Sequence, residues 1–134
     1  MTRVLIVGTG MTPFGNHRGS GTRALAVAAI DEALRDSGIP PTDVGRIFYG
    51  NAAAGMISQQ EMIRGQVAFR KHPLARVPLF NVENACASGG SALTLAFETV
   101  RSGIADVVVA MGVEQLHHQD KSRAFNALRG STFV

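Results

Sequence analysis

The chain has 134 residues, with 13 Lys and Arg against 10 Asp and Glu for a net charge of +3, 46% hydrophobic and 17% charged residues, a balance that fits one globular domain burying much of itself. No window approaches the ~18 apolar residues of a membrane span, the apolar start over residues 1–8 is too short for a signal peptide, and dispersed basic residues without interleaved aromatics argue against nucleic-acid binding. A single cysteine excludes an internal disulfide and suits a reducing cytoplasm.

Residues 3–8 read as a compact apolar strand entering a Gly-rich turn at Gly8-Thr9-Gly10. The dinucleotide fingerprint needs a third glycine three residues beyond Gly10, where Pro13 stands, so a tight turn is the better account. Thr22 predicts the N-cap of a helix to about Ser37, with Leu25, Ala28, Ala29 and Leu34 at helical spacing and an Asp31–Arg35 pair. Gly38 and Pro40-Pro41 end it. A second strand is expected over 46–50, a helix over 59–70, and a third strand over 77–82. Residues 85–97 carry no charge, which predicts a helix buried on nearly every side. Val107-Val108-Val109-Ala110, within a strand over 106–111, reads as a parallel strand covered on both faces. Alternating strands and helices make the fold class α/β. After Gly112 the pattern loses its period, and residues 115–134 are set apart from an α/β domain over 1–114.

Cys86 stands in Asn84-Ala85-Cys86-Ala87-Ser88-Gly89-Gly90-Ser91, between the third strand and a helix-forming run. A thiol at a helix N-terminus meets the positive end of the helix dipole and unpaired backbone N–H groups, which favour the nucleophilic thiolate. Small residues after it let a substrate carbonyl approach the backbone. A buried cysteine acting as a small hydrophobe is the common alternative, and the strand–Cys–glycine–helix order favours the nucleophile. His17, His72, His117 and His118 have no metal-site spacing and read as exposed loop histidines. Met56, Met62 and Met111 read as core fillers. Glu114, at the end of the last strand, either orients the nucleophile loop or is solvated.

The opening Val7-Gly8-Thr9-Gly10-Met11-Thr12-Pro13-Phe14 resembles that of the thiolases related to sterol carrier protein X. Asn84-Ala85-Cys86-Ala87-Ser88-Gly89 resembles the thiolase nucleophile motif, and residues 102–114, ending in Gly112-Val113-Glu114, resemble the strand that follows it. The Cys motif alone is shared with ketosynthases; the opening and the Gly-x-Glu ending favour thiolase. The resemblance implies the N-terminal part of a thiolase-like α/β fold, a mostly parallel sheet with helices on both faces and a buried helix after Cys86. It implies that Cys86 attacks an acyl-CoA thioester and carries the acyl group, its own N–H contributing to an oxyanion hole. Claisen condensation, or thiolytic cleavage of a 3-ketoacyl-CoA, then completes acyl transfer. No cofactor beyond the coenzyme A of the substrate is implied, and no metal. The implied partners are acyl-CoA, a second copy or a complementing C-terminal thiolase chain, and a small OB-fold, zinc-ribbon protein.

The departures carry equal information. The catalytic His of a Gly-His-Pro motif and the second Cys that the family uses as acid and base have no counterpart here; His72-Pro73 follows Lys71. The sheet is expected to lack a strand that follows the loop region. The sequence therefore reads as the first part of a longer or complemented protein, a nucleophile without its base, inactive and poorly stable in isolation. A ketosynthase- or aldolase-like relative acting on CoA thioesters, or a non-catalytic thiolase part serving as an interaction surface, are the alternatives.

Overall fold

In a computed structural model, which describes residues 3–17, 19–130 and 132, a parallel three-stranded sheet carries helices on both faces. The chain runs through α1 (Thr22–Ser37), β1 (Arg46–Gly50), α2 (Ala54–Ser58), α3 (Arg64–Phe69), β2 (Leu79–Val82), α4 (Ser88–Arg101), β3 (Val108–Gly112) and α5 (Lys121–Arg129). The strand order is β2-β1-β3, with Ile47 opposite both Leu79 and Val109 and Gly50 opposite both Val82 and Gly112. Period-two alternation sorts the side chains. Ile47 and Tyr49 face a core completed by Ala26 and Ile30 of α1 and by Ala68 and Phe69 of α3. Phe48 faces Ala92 and Ala96 of α4 on the opposite side.

α1 and β1 occupy the expected residues. Gly21, not Thr22, is the N-cap of α1, and Gly38 closes it at φ +68° with its N–H donating to the Leu34 carbonyl at 3.0 Å. The buried stripe of α1 runs through Ala26 and Ile30, one step from the expected face, and Ala28 is exposed. Asp31 bonds His72 Nε2 at 2.9 Å rather than Arg35, because the 3₁₀ turn Pro73–Arg76 places that ring beside α1. The ladders outlast the strands as bounded: Ile47 N donates to the Pro78 carbonyl and Gly45 N to that of Val107.

Five expectations are corrected. Residues 3–8 are not a strand. Leu5, Ile6 and Val7 are exposed, and the segment lies along α1, where the Thr9 and Met11 amides donate to Asp36 and Glu32 at 2.8 and 2.9 Å. Gly8 and Gly10 serve this close approach rather than a turn: a Cβ on either would collide with the Ala33 or Ala29 carbonyl oxygen. The helix expected over 59–70 is shortened to α3: left-handed Gln59 and Ile63, at φ +63° and +46°, keep residues 59–63 out of it, and α2 is an additional helix that ends before residue 59. α4 is buried along one face only. Ala92 and Ala96 press on the sheet, but Leu93, Leu95 and Phe97 are exposed, since the sheet is the one layer that covers the helix among the described residues. The aperiodic segment after Gly112 contains α5, nucleated by Asp120, whose carboxylate accepts from Ser122 N at 2.9 Å.

Candidate functional site

All three strands point their carboxyl ends to one edge of the sheet. A cleft of about 590 Å³ opens there, lined by Gly50 and Gly112 and by residues directly following each strand. Crevices outside the carboxyl ends of parallel strands are where α/β proteins bind ligands. After β1 come Asn51, Ala52 and Ala53; after β2, Glu83, Ala85 and Cys86; after β3, Val113 and Glu114.

Cys86 is exposed in the 3₁₀ turn Ala85–Ala87, which leads directly into α4. The turn is strained: Ala85 adopts φ +44°, a left-handed conformation that costs a non-glycine residue about 1–3 kcal/mol. Its restraints come from both sides. The Ser88 hydroxyl, in a buried residue, donates to the Ala85 carbonyl at 2.7 Å and accepts from the Asn84 amide at 2.9 Å. Asn84 Nδ2 donates to Ser91 Oγ at 3.0 Å, and the Ala85 amide donates to Glu83 Oε1 at 2.7 Å. Gly50 allows α4 to start against the end of β1: a Cβ there would stand 3.0 Å from the Ser88 carbonyl oxygen.

Glu114 is exposed, as one expectation had it, and bonds no described residue of the nucleophile loop. It fastens the turn after β1. Its carboxylate accepts from Asn51 Nδ2, from the Ala52 amide at 3.2 Å and from the Ala53 amide at 3.0 Å. Asn51 Nδ2 also donates to the Val113 carbonyl at 2.7 Å, and Arg64 Nη1 donates to Asn51 O at 2.8 Å and Ala52 O at 3.3 Å. Although the residue is exposed as a whole, partial loss of water raises the Glu114 carboxyl above its ordinary value, against the opposing pull of the Ala53 and Ala52 amides, the Arg64 charge and Asn51. Tyr49, buried beneath this turn and edge-on to Phe69, has its hydroxyl raised far above the ordinary tyrosine range by burial and then by the Glu114 charge.

Among the described residues, no histidine lines the cleft. His17 bonds the Pro13 carbonyl at 2.7 Å, His72 bonds Asp31, and His118 Nδ1 accepts from the Asp120 amide at 3.0 Å; His117 is exposed on the loop after β3. Met111 is partly buried in the core, whereas Met56 and Met62 are exposed, and Met56 lines the cleft. Sequence reasoning passed over Asn51, Arg64 and Ser88. Asn51 and Ser88 directly follow a strand and a turn, positions where a short polar side chain bonds local backbone. Arg64 gave no such signal. No helix among the described residues is long and apolar enough to cross a membrane, and no three His, Cys, Asp or Glu among them form a group able to hold a metal ion.

Residues 4–133 match the family model for the thiolase N-terminal domain. Acetyl-CoA acetyltransferase of Methanocaldococcus jannaschii is 39% identical over 117 residues, covering 87% of this chain and 29% of that protein. A benzoylsuccinyl-CoA thiolase subunit of Thauera aromatica is 38% identical, covering 84% of this chain and 28% of its own length. Sterol carrier protein 2 of Rattus norvegicus is 32% identical, with 87% and 21% covered. The chain thus spans less than a third of each of these relatives. Among solved structures, 3-oxoacyl-[acyl-carrier-protein] synthase III from Aquifex aeolicus VF5 shares the fold, with a TM-score of 0.54, 22% identity, and 66% of this chain and 28% of that one covered.

Proposed function

We propose, because this chain belongs to the thiolase family, that it supplies the acyl-accepting nucleophile of an acyl-CoA acyltransferase. The observation that carries this is the placement of Cys86, on a strained turn between β2 and α4, at a cleft over the carboxyl ends of the sheet. The Cys86 thiolate attacks the thioester carbonyl and forms an S–C bond. The tetrahedral oxyanion takes hydrogen bonds from backbone amides at the turn, that of Cys86 among them. The intermediate collapses with cleavage of the bond to coenzyme A sulfur, and the released thiolate takes up the proton given by Cys86. The acyl group then passes to the α-carbon of a second acyl-CoA: a base takes the α-proton, the new C–C bond forms, and the S–C bond breaks to release the Cys86 thiolate. In the reverse cleavage the acyl group arrives from a 3-ketoacyl-CoA, the leaving α-carbon is reprotonated, and coenzyme A accepts the acyl group from Cys86.

Among the described residues the cleft provides the nucleophile and no histidine, so the acid–base partner, typically worth ~10² to 10⁴ in rate, comes from residues beyond it. A complementing C-terminal thiolase chain or the remainder of a longer protein fills that role, with assembly as an oligomer. Intact mass after incubation with acyl-CoA and an acid quench tests the reading, with Cys86→Ala as control. A wild-type adduct absent from the mutant supports it. No adduct on a folded chain means that residues beyond it supply activation or binding. A complementing C-terminal thiolase chain that restores the adduct keeps the reading, and one that does not supports the alternative of a non-catalytic thiolase part acting as an interaction surface.

A further inference from the structure

We propose that Glu83 is the positioning residue of the nucleophile turn: its carboxylate clamps Ala85 in the left-handed conformation and thereby leaves the Cys86 amide unengaged for an oxyanion. The proposal rests on Cys86 as acyl acceptor and adds the group that sets its turn. A non-glycine residue stays left-handed only where its surroundings over-determine it, and the contacts on Ala85 divide into two sides. Its carbonyl accepts from the hydroxyl and from the amide of Ser88. Its amide donates to Glu83 Oε1 at 2.7 Å, the one restraint on that side among the described residues. Glu83 is placed to supply it. The residue directly follows β2, and the Val82 carbonyl before it accepts from the Asn51 amide at 3.2 Å, so its backbone leaves a paired strand. The carboxylate thus ties the turn to the sheet.

The consequence lies in the remaining amides. Asn84 N donates to Ser88 Oγ, Ala85 N to Glu83, Ala87 N to the Asn84 carbonyl at 2.8 Å, and Ser88 N to the Ala85 carbonyl. Among the described residues 84–88, the Cys86 amide alone has no acceptor. A backbone donor held in place without a partner needs no reorganisation when charge develops on the carbonyl that the adjacent sulfur attacks. Relaxation of Ala85 to negative φ would rotate the Ala85–Cys86 peptide, and that N–H with it. Glu83 therefore acts on the reaction through the backbone, not through contact with substrate.

Two reagents, read by intact mass on the 134-residue chain, separate the functions of the turn. p-Nitrophenyl acetate acylates the Cys86 thiol through a tetrahedral oxyanion and without coenzyme A, whereas iodoacetamide alkylates it by displacement, with no oxyanion. Glu83→Ala is expected to slow acylation by about tenfold relative to alkylation, part of the ~10² to 10³ that removal of an oxyanion donor costs. Glu83 is exposed, so its truncation empties no core. Glu83→Gln keeps an acceptor oxygen and is expected to stay within about threefold of wild type with both reagents. Ala85→Gly adopts positive φ freely, so Glu83→Ala in that background is expected to lose no more than about twofold. Equal slowing with both reagents, Glu83→Gln as slow as Glu83→Ala, or a tenfold loss that persists with Ala85→Gly each overturns the proposal. A selective loss with p-nitrophenyl acetate, where no acyl-CoA acylates wild type, keeps the clamp, while the acyl-CoA reading then stands or falls with the complementing chain.

Discussion

Ser88 holds the strained Ala85 in place by two hydrogen bonds that bracket Cys86. Ser88→Ala removes the donor to the Ala85 carbonyl and the acceptor of the Asn84 amide in a buried position, a loss of about 1–3 kcal/mol. Urea denaturation should show that loss. Alkylation of Cys86 should slow beyond what the folded fraction explains, since the turn is then free to leave φ +44°. Glu114 makes the opposite kind of contribution. Its carboxyl is raised in the folded state, chiefly by loss of water, so the folded chain binds this proton more tightly than the unfolded chain. The stabilisation that this gives is full below the ordinary carboxylate value and is lost as pH rises through the raised folded value. Compared with Glu114→Gln, wild-type stability should therefore fall with rising pH in the window just above 4.5, as urea melts between about pH 4 and pH 7 will show. A difference that stays constant across the window would refute this assignment.

At the scale of elements, the association of residues 3–11 with α1 depends on glycine. Gly10→Ala would drive a methyl group into the Ala29 carbonyl, so the segment must lift and release the Thr9 and Met11 amides from their carboxylates. Amide hydrogen exchange should then lose protection at those two positions, while β1 and β3 keep theirs. This element also marks the limit of what the sequence made legible. Val4 to Val7 have the composition of a strand, but a strand is defined by its neighbour, and pairing is a property of the whole sheet. β1 and β3 were readable because their apolar runs are covered on both sides, and α1 because its cap, period and Gly38 stop agree. α2 went unread and α3 was drawn too long at its start, because the left-handed breaks at Gln59 and Ile63 fall in a stretch that no glycine or proline marks. At the site, the Cys86 turn was legible from small residues between a strand and a helix. The Glu114–Asn51–Arg64 network was not, since it joins positions 13 and 63 residues apart.

For the molecule as a whole, the apolar surface is unevenly placed. Leu93, Leu95 and Phe97 of α4 are exposed at 55%, 39% and 45%, and Phe80 nearby in β2 at 45%. A face of this kind on a lone domain is a route to association. The 134-residue chain is expected to elute as concentration-dependent oligomers, and Leu93→Lys with Phe97→Lys to move it toward monomer, as light scattering coupled to size exclusion will report. A monodisperse wild-type monomer across a wide concentration range would contradict the expectation.

The cleft is assembled from the ends of three strands, and its last fastening is Glu114, whose carboxylate holds amides 61 and 62 residues earlier in the chain. Synthesis runs in the opposite order to assembly. Cys86 leaves the ribosome before β3 does, and the turn after β1 waits for a residue that follows β3. At roughly 5–20 residues per second, the thiol spends on the order of seconds as an ordinary side chain on an unfinished sheet. Its own turn can form early from neighbours in sequence, but the facing wall of the cleft is fastened only when β3 and Glu114 arrive, so the fold itself delays the cleft until its third strand is in place.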